Sequence, residues 1–150
     1  TYEDGTPREE IAQGRIGTKI DPGTPSGKYL YDSYAYDSPL EKSNMTTDIE
    51  EVVVYGKIPR NSIAIPTITG GTYSPDFMYV VKKASGEKEL NIVVETKDVE
   101  GKDDLRGTEL AKIECARVFF ETLSKEGYTA HFCDQLKNKQ MVQIIQEILH

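Results

Sequence analysis

Asp76, Glu95 and Lys97 are the residues of this chain whose types and spacing allow chemistry. They lie in "PDFMYVV" (75–81) and "ELNIVVETK" (89–97), two apolar runs joined by the polar, glycine-bearing "KKASGEK". That pattern reads as a β-hairpin. Strand side chains alternate faces, so Glu95 and Lys97 share one and Thr96 takes the other. A turn centred on Ser85 and Gly86 sets Asp76 across from Glu95, with Lys97 one step along. A slip of one residue would spoil the shared face. Two carboxylates forced together repel, and a hard divalent cation relieves the repulsion. Mg²⁺ takes oxygen ligands and is commonly held by one or two carboxylates plus a substrate phosphate. Asp76 and Glu95 are therefore expected to ligate Mg²⁺, for which Mn²⁺ could substitute, with the Thr96 backbone carbonyl as a further oxygen. Lys97 would hold or deprotonate the attacking water and offset phosphate charge. The reaction would be metal-assisted hydrolysis of a phosphodiester. The plain alternative is a solvated strand rim with a surface salt bridge contributing at most about 1 kcal/mol.

The remaining elements must position that hairpin. "SPLEKSNM" opens with Ser38 as an N-cap, Pro39 at the first helical position and Glu41 three residues after the cap, a capping-box pattern. Ser43, Asn44, Thr46 and Thr47 make this a poor helix by propensity. "EEVVVYGKI" (50–58) reads as a strand ended by Pro59. In "TELAKIECARVFFETL" (108–123), Leu110, Ile113, Ala116, Phe119, Phe120 and Leu123 recur at helical steps. Gly127 should stop that helix, before a strand at "YTAHFC" (128–133) and an amphipathic closing helix at "KQMVQIIQEIL" (139–149). The order α-β-β-β-α-β-α predicts an α/β fold, a small mixed sheet with helices packed on it. Tyr29, Tyr31, Tyr34 and Tyr36 alternate like packed strand residues and lack the basic neighbours of a base-stacking platform. Lys82, Lys83 and Lys88 read as solvated turn charges.

A chain of 150 residues is one domain's worth. No apolar stretch approaches the roughly 18 residues that span a bilayer, and none reads as a signal peptide. Cys115 and Cys133 sit far apart in apolar patterns, as small buried hydrophobes of a reducing, cytoplasmic protein. The missing initiating Met points to a piece of something longer. The net charge is −7, and the first fifty residues hold 10 acidic against 5 basic side chains. A free-standing DNA binder needs a basic face to neutralise phosphates. None is visible, so any nucleic acid must be delivered by something else.

"PDF" at 75–77 followed by "ETK" at 95–97 resembles the Pro-Asp…(Asp/Glu)-x-Lys signature of the PD-(D/E)xK nuclease superfamily. "VVETKD…DLRGTELAKIECARVFFETL" and "YDSPLEKSNM" are similar to segments of the C-terminal endonuclease domain of type III restriction enzyme Res subunits. The resemblance covers roughly residues 28–149. It implies a restriction-endonuclease-like core, with Asp76 and Glu95 as metal ligands and Lys97 as the catalytic lysine. Glu41 would match a helix glutamate that some members add to the metal site, a role that competes with capping. Residues 1–27 would be a connector from a preceding ATPase motor and 28–150 the nuclease domain. The implied partners are double-stranded DNA, an ATP-dependent helicase-like motor in the same full-length chain, and a methyltransferase subunit that reads the sequence. Two alternatives stay open at this point. One is a stand-alone nuclease of the superfamily, of resolvase or repair type. The other is a non-catalytic docking module that has kept the fold.

Overall fold

The computed structural model describes residues 2–83, 85–86 and 89–150, so the expected position of Lys88 in the hairpin turn lies outside the described residues. The main sheet has four strands in the order β3 (Val52–Lys57), β6 (Phe77–Lys82), β7 (Glu89–Lys97) and β8 (His131–Leu136). The first two pairings are antiparallel, and β8 runs parallel to β7. A parallel neighbour needs a crossover, which helix α2 (Gly107–Lys125) supplies. Helices α1 (Pro39–Thr46) and α3 (Met141–Leu149) complete the α-β-β-β-α-β-α order expected from the sequence.

Alternation along β7 divides the core into two layers. Ile92 and Val94 join Phe77, Tyr79 and Val81 beneath Met45 of α1 and Met141, Ile144 and Ile145 of α3. Val93 points the other way, to Ala116 and Phe120 of α2, with Ile58 and Ile65. Tyr29 and Tyr34 belong to the first layer, and Tyr29 packs on both Tyr34 and Tyr55, which stacks on Tyr79 with ring centroids 5.5 Å apart. The tyrosine-rich stretch is therefore core, as its alternation implied, although only Tyr34–Tyr36 forms a regular strand, β2.

Three features departed from expectation. Residues 1–27, whose Gly, Pro, Thr and charged residues show no sustained period and imply an irregular segment, are partly ordered: β1 (Lys19–Asp21) pairs with β2, Ile16 is buried, and a Cβ on Gly17 would lie 2.3 Å from the Tyr36 backbone nitrogen. The short strands β4 (Ile65–Pro66) and β5 (Thr72–Tyr73) form a hairpin over α2, closed by Gly70 and Gly71, both with positive φ. "TITGGTYS" carried that signal in its Gly-Gly turn between β-prone residues. Strand β8 begins three residues later and ends three residues later than the expected 128–133, because the fold buries Gln135, covers the Asp134 side chain and satisfies both.

The same satisfaction explains the poor helix α1. Asn44 donates to Gln135 Oε1 at 2.6 Å, and Gln135 donates back to Asn44 Oδ1 at 3.0 Å and to the Lys139 carbonyl at 2.9 Å. Both side chains are buried, so this amide pair bolts α1 to β8. Asn44→Leu leaves the Gln135 amide short of its partner in a dry site, where an unmet polar group costs about 1–3 kcal/mol. The expected result is a clear fall in melting temperature. A melting temperature within a degree of wild type would remove the pair from the stability of the fold.

Candidate active site

The β6–β7 ladder runs in the expected register, Phe77 opposite Val94 and Met78 opposite Val93, and its continuation brings Asp76 to Glu95. Main-chain bonds pin Asp76 on both sides. Its N–H donates to the Val94 carbonyl at 3.0 Å, and its carbonyl accepts from the Ile58 N–H at 2.7 Å. Its side chain then replaces the next rung of the ladder: Oδ2 accepts from the Thr96 N–H and hydroxyl, each at 2.8 Å. Pro75, with no N–H to offer, fits this strand entrance.

Glu95 is only 5 % exposed. Its Oε1 meets Lys97 Nζ at 2.8 Å, while its Oε2 is buried with no hydrogen-bond partner. Burial, and next the Asp76 charge, push the Glu95 carboxyl up to about 7. Burial also raises Asp76, against the lowering effect of its two bonds from Thr96. Burial works against the Lys97 ammonium, but Glu95 more than offsets it and holds the lysine above its ordinary value. The Lys97 side chain keeps only 16 % of its exposure, so the rim reading with its solvated salt bridge does not describe this pair. Tyr73 of β5 reaches over the same spot. Its hydroxyl is buried without a partner, and burial followed by the Glu95 and Asp76 charges raises it above its ordinary value.

Glu41 is placed differently from the other three. Ser38 Oγ accepts from the Glu41 N–H at 3.2 Å, the N-cap half of the capping box. The Glu41 carboxylate reaches back to the Asp37 N–H at 2.7 Å, one residue before the cap, and binds the Lys57 ammonium at 2.7 Å. Among the described residues no group of three or more His, Cys, Asp or Glu side chains is arranged to hold a metal ion. Asp76 and Glu95 are paired in space by the ladder, and the charge of Asp76 acts on Glu95. An unpartnered buried carboxylate oxygen beside a second carboxylate does fit a divalent cation, whose charge would satisfy both.

Sequence reasoning missed several neighbours of this site. Asp134 pairs with Glu95 in the parallel register and is tied to Arg117 of α2 and to Lys102 at 3.5 Å. Lys57, at the end of β3, is buried. Their residue types are ordinary, and no local pattern marks them. A depression of about 210 Å³ lined by Asp37, Lys57, Arg60, Asn61, Pro75 and Asp76 opens beside the catalytic candidates. A larger depression of about 680 Å³, between α2 and the β4–β5 hairpin, is lined chiefly by apolar side chains.

A family model described as an endonuclease domain matches residues 27–144. The chain belongs to the endonuclease-domain family. This endonuclease domain is 43 % identical over 151 aligned positions to the Res subunit of the type III restriction-modification enzyme EcoPI of Escherichia phage P1. It is equally similar to the EcoP15I Res subunit of Escherichia coli. Each alignment covers 99 % of the chain but only 15 % of the relative. The StyLTI Res subunit of Salmonella typhimurium is 29 % identical over 135 positions, covering 85 % of the chain and 13 % of that subunit. No solved structure shows a significant match. The four-stranded mixed sheet between helices agrees with the restriction-endonuclease-like fold that the sequence resemblance implied. No described helix is long and apolar enough to cross a membrane.

Proposed function

We propose that this endonuclease domain hydrolyses DNA phosphodiesters with Mg²⁺, as the cutting part of a type III Res chain. The observation that carries the reading is the buried, unpartnered Glu95 Oε2 beside Asp76, with Lys97 bonded to the other oxygen. Asp76 and Glu95 would hold the ion, with the Thr96 carbonyl as a further oxygen. Bound there, a divalent cation supplies Lewis-acid polarisation of the phosphoryl oxygen and stabilises the charge that develops on it. The protein's own groups do the rest. Thr96 fixes Asp76 in one orientation through two hydrogen bonds. Lys97, bonded to Glu95, presents its ammonium where it can donate a hydrogen bond that orients the attacking water and balance phosphate charge. The burial of Glu95 excludes solvent and strengthens each of these interactions.

Residues 1–27 lead, in this reading, from an ATP-dependent motor in the same full-length chain, and a methyltransferase subunit reads the recognition sequence. The net charge of −7 supports delivery, because the counterion release that drives non-specific DNA binding needs a basic face. The test compares the 150-residue protein with the intact enzyme, with and without ATP, in gel-shift and nicking assays containing Mg²⁺. The domain alone is expected to bind DNA poorly at physiological salt and to nick feebly, with efficient cutting by the intact enzyme. Tight, salt-resistant binding and efficient cutting by the domain alone would overturn delivery and leave a stand-alone nuclease.

A further inference from the structure

Lys57 is 3 % exposed, and a buried ammonium is tolerated only where paired. Its Nζ lies 2.7 Å from Glu41 Oε2 and 3.0 Å from Asp37 Oδ2. Asp37 in turn binds Arg60 at 2.6 Å and accepts from the Thr18 N–H and hydroxyl at 3.0 and 2.9 Å. This network adjoins the catalytic candidates. Lys57 faces Phe77 across the β3–β6 ladder, the next residue's N–H holds the Asp76 carbonyl, and Lys57 and Asp76 line one depression. The strand and helix that carry Lys57 and Glu41 thus meet beside Asp76.

We propose that Lys57 is the resident cation of this site, a positioning residue that engages Glu41 and supplies fixed positive charge beside Asp76. The site therefore takes one divalent ion, and Glu41 is the lysine's counter-ion rather than a metal ligand. Charge balance agrees. Asp37 and Glu41 are matched by Lys57 and Arg60, leaving that set neutral. Asp76, Glu95 and Lys97 together carry one negative charge, which one divalent ion and one phosphodiester bring to zero. A second divalent ion would overshoot, and it would crowd an ammonium already seated on Glu41. This inference rests on the metal reading of Asp76 and Glu95.

The test counts Mn²⁺ ions per chain by calorimetry and electron paramagnetic resonance, with thermal melts alongside. Wild type is expected to bind one ion. Glu41→Gln should bind Mn²⁺ within about threefold of wild type while melting at a lower temperature, because Lys57 loses its nearest counter-ion. Lys57→Met frees Glu41 and Asp37 and should gain a second Mn²⁺ with a spin-coupled signal, whereas Lys57→Arg should return to one. Two ions in wild type, a tenfold or greater loss of affinity in Glu41→Gln, or Lys57→Met binding one ion as wild type does would each overturn the proposal. Should Lys57→Met fail to fold, the Glu41→Gln affinity still decides. Asp76→Asn separates the two levels: undiminished Mn²⁺ binding there would remove the metal reading itself, whatever the Lys57 variants do.

Discussion

Lys97→Met in the intact enzyme is expected to slow DNA cleavage by about 10³-fold, in the range that removing one preorganised donor to the developing charge costs. Methionine keeps the apolar stem packed, which matters because the Lys97 side chain is largely buried. Losing the ammonium leaves Glu95 without its counter-ion, but a carboxyl already raised to about 7 responds by holding its proton rather than by unfolding the strand. The melting temperature should therefore move by only a few degrees. Single-turnover cleavage on a supercoiled substrate, beside thermal melts, makes the comparison. Cleavage at the wild-type rate would exclude Lys97 from the reaction, and a collapse of the melt would assign it a structural role instead.

Asp76→Asn should weaken Mn²⁺ binding by about 100-fold or more, an effect at or beyond the upper end for perturbing a metal's immediate surroundings. At the same time it should stabilise the metal-free protein at alkaline pH. The amide oxygen can still accept from the Thr96 N–H and hydroxyl, but the charge facing Glu95 is gone. The pH dependence follows from the same pair. The carboxyls of Asp76 and Glu95 are both raised by burial, so each favours its protonated form in the folded chain. The stability they lend is complete below the ordinary carboxyl range and is lost as the pH rises through the folded value, about 7 for Glu95. For Glu95 the rise from 4.5 corresponds to an upper bound of about 3 kcal/mol. Metal-free melts should fall between roughly pH 5 and pH 8, and Asp76→Asn should flatten that fall. Parallel pH profiles for the two proteins would refute the repulsion between the carboxylates.

The lysine–carboxylate constellation was legible because its geometry is local. A hairpin with a polar, glycine-bearing turn sets its own register, and the alternation of β7 sends Glu95 and Lys97 to one face without help from the rest of the chain. Helix α2 was equally legible from its apolar period, although Leu110 at its start is exposed and only Ile113, Ala116 and Phe120 are deeply buried. Strand β8 was legible only in its apolar half. Asp134 and Gln135 look like the end of a strand in sequence, and they become its interior only when Arg117 and Asn44 arrive to satisfy them.

By itself, the sequence of this protein determined the order of the core elements, the pairing of Asp76 with Glu95 and the resemblance to type III endonuclease domains. Each of these depends on neighbours in the chain or on a motif of residue types. Tertiary structure alone decided how deeply Glu95 is buried, which acids keep a partner, and that Glu41 meets Lys57 while Asn44 meets Gln135. Those outcomes hinge on desolvation and on contacts between distant segments. The energy of a charge or amide is set by what surrounds it in space, and that environment is absent from any local window of residues.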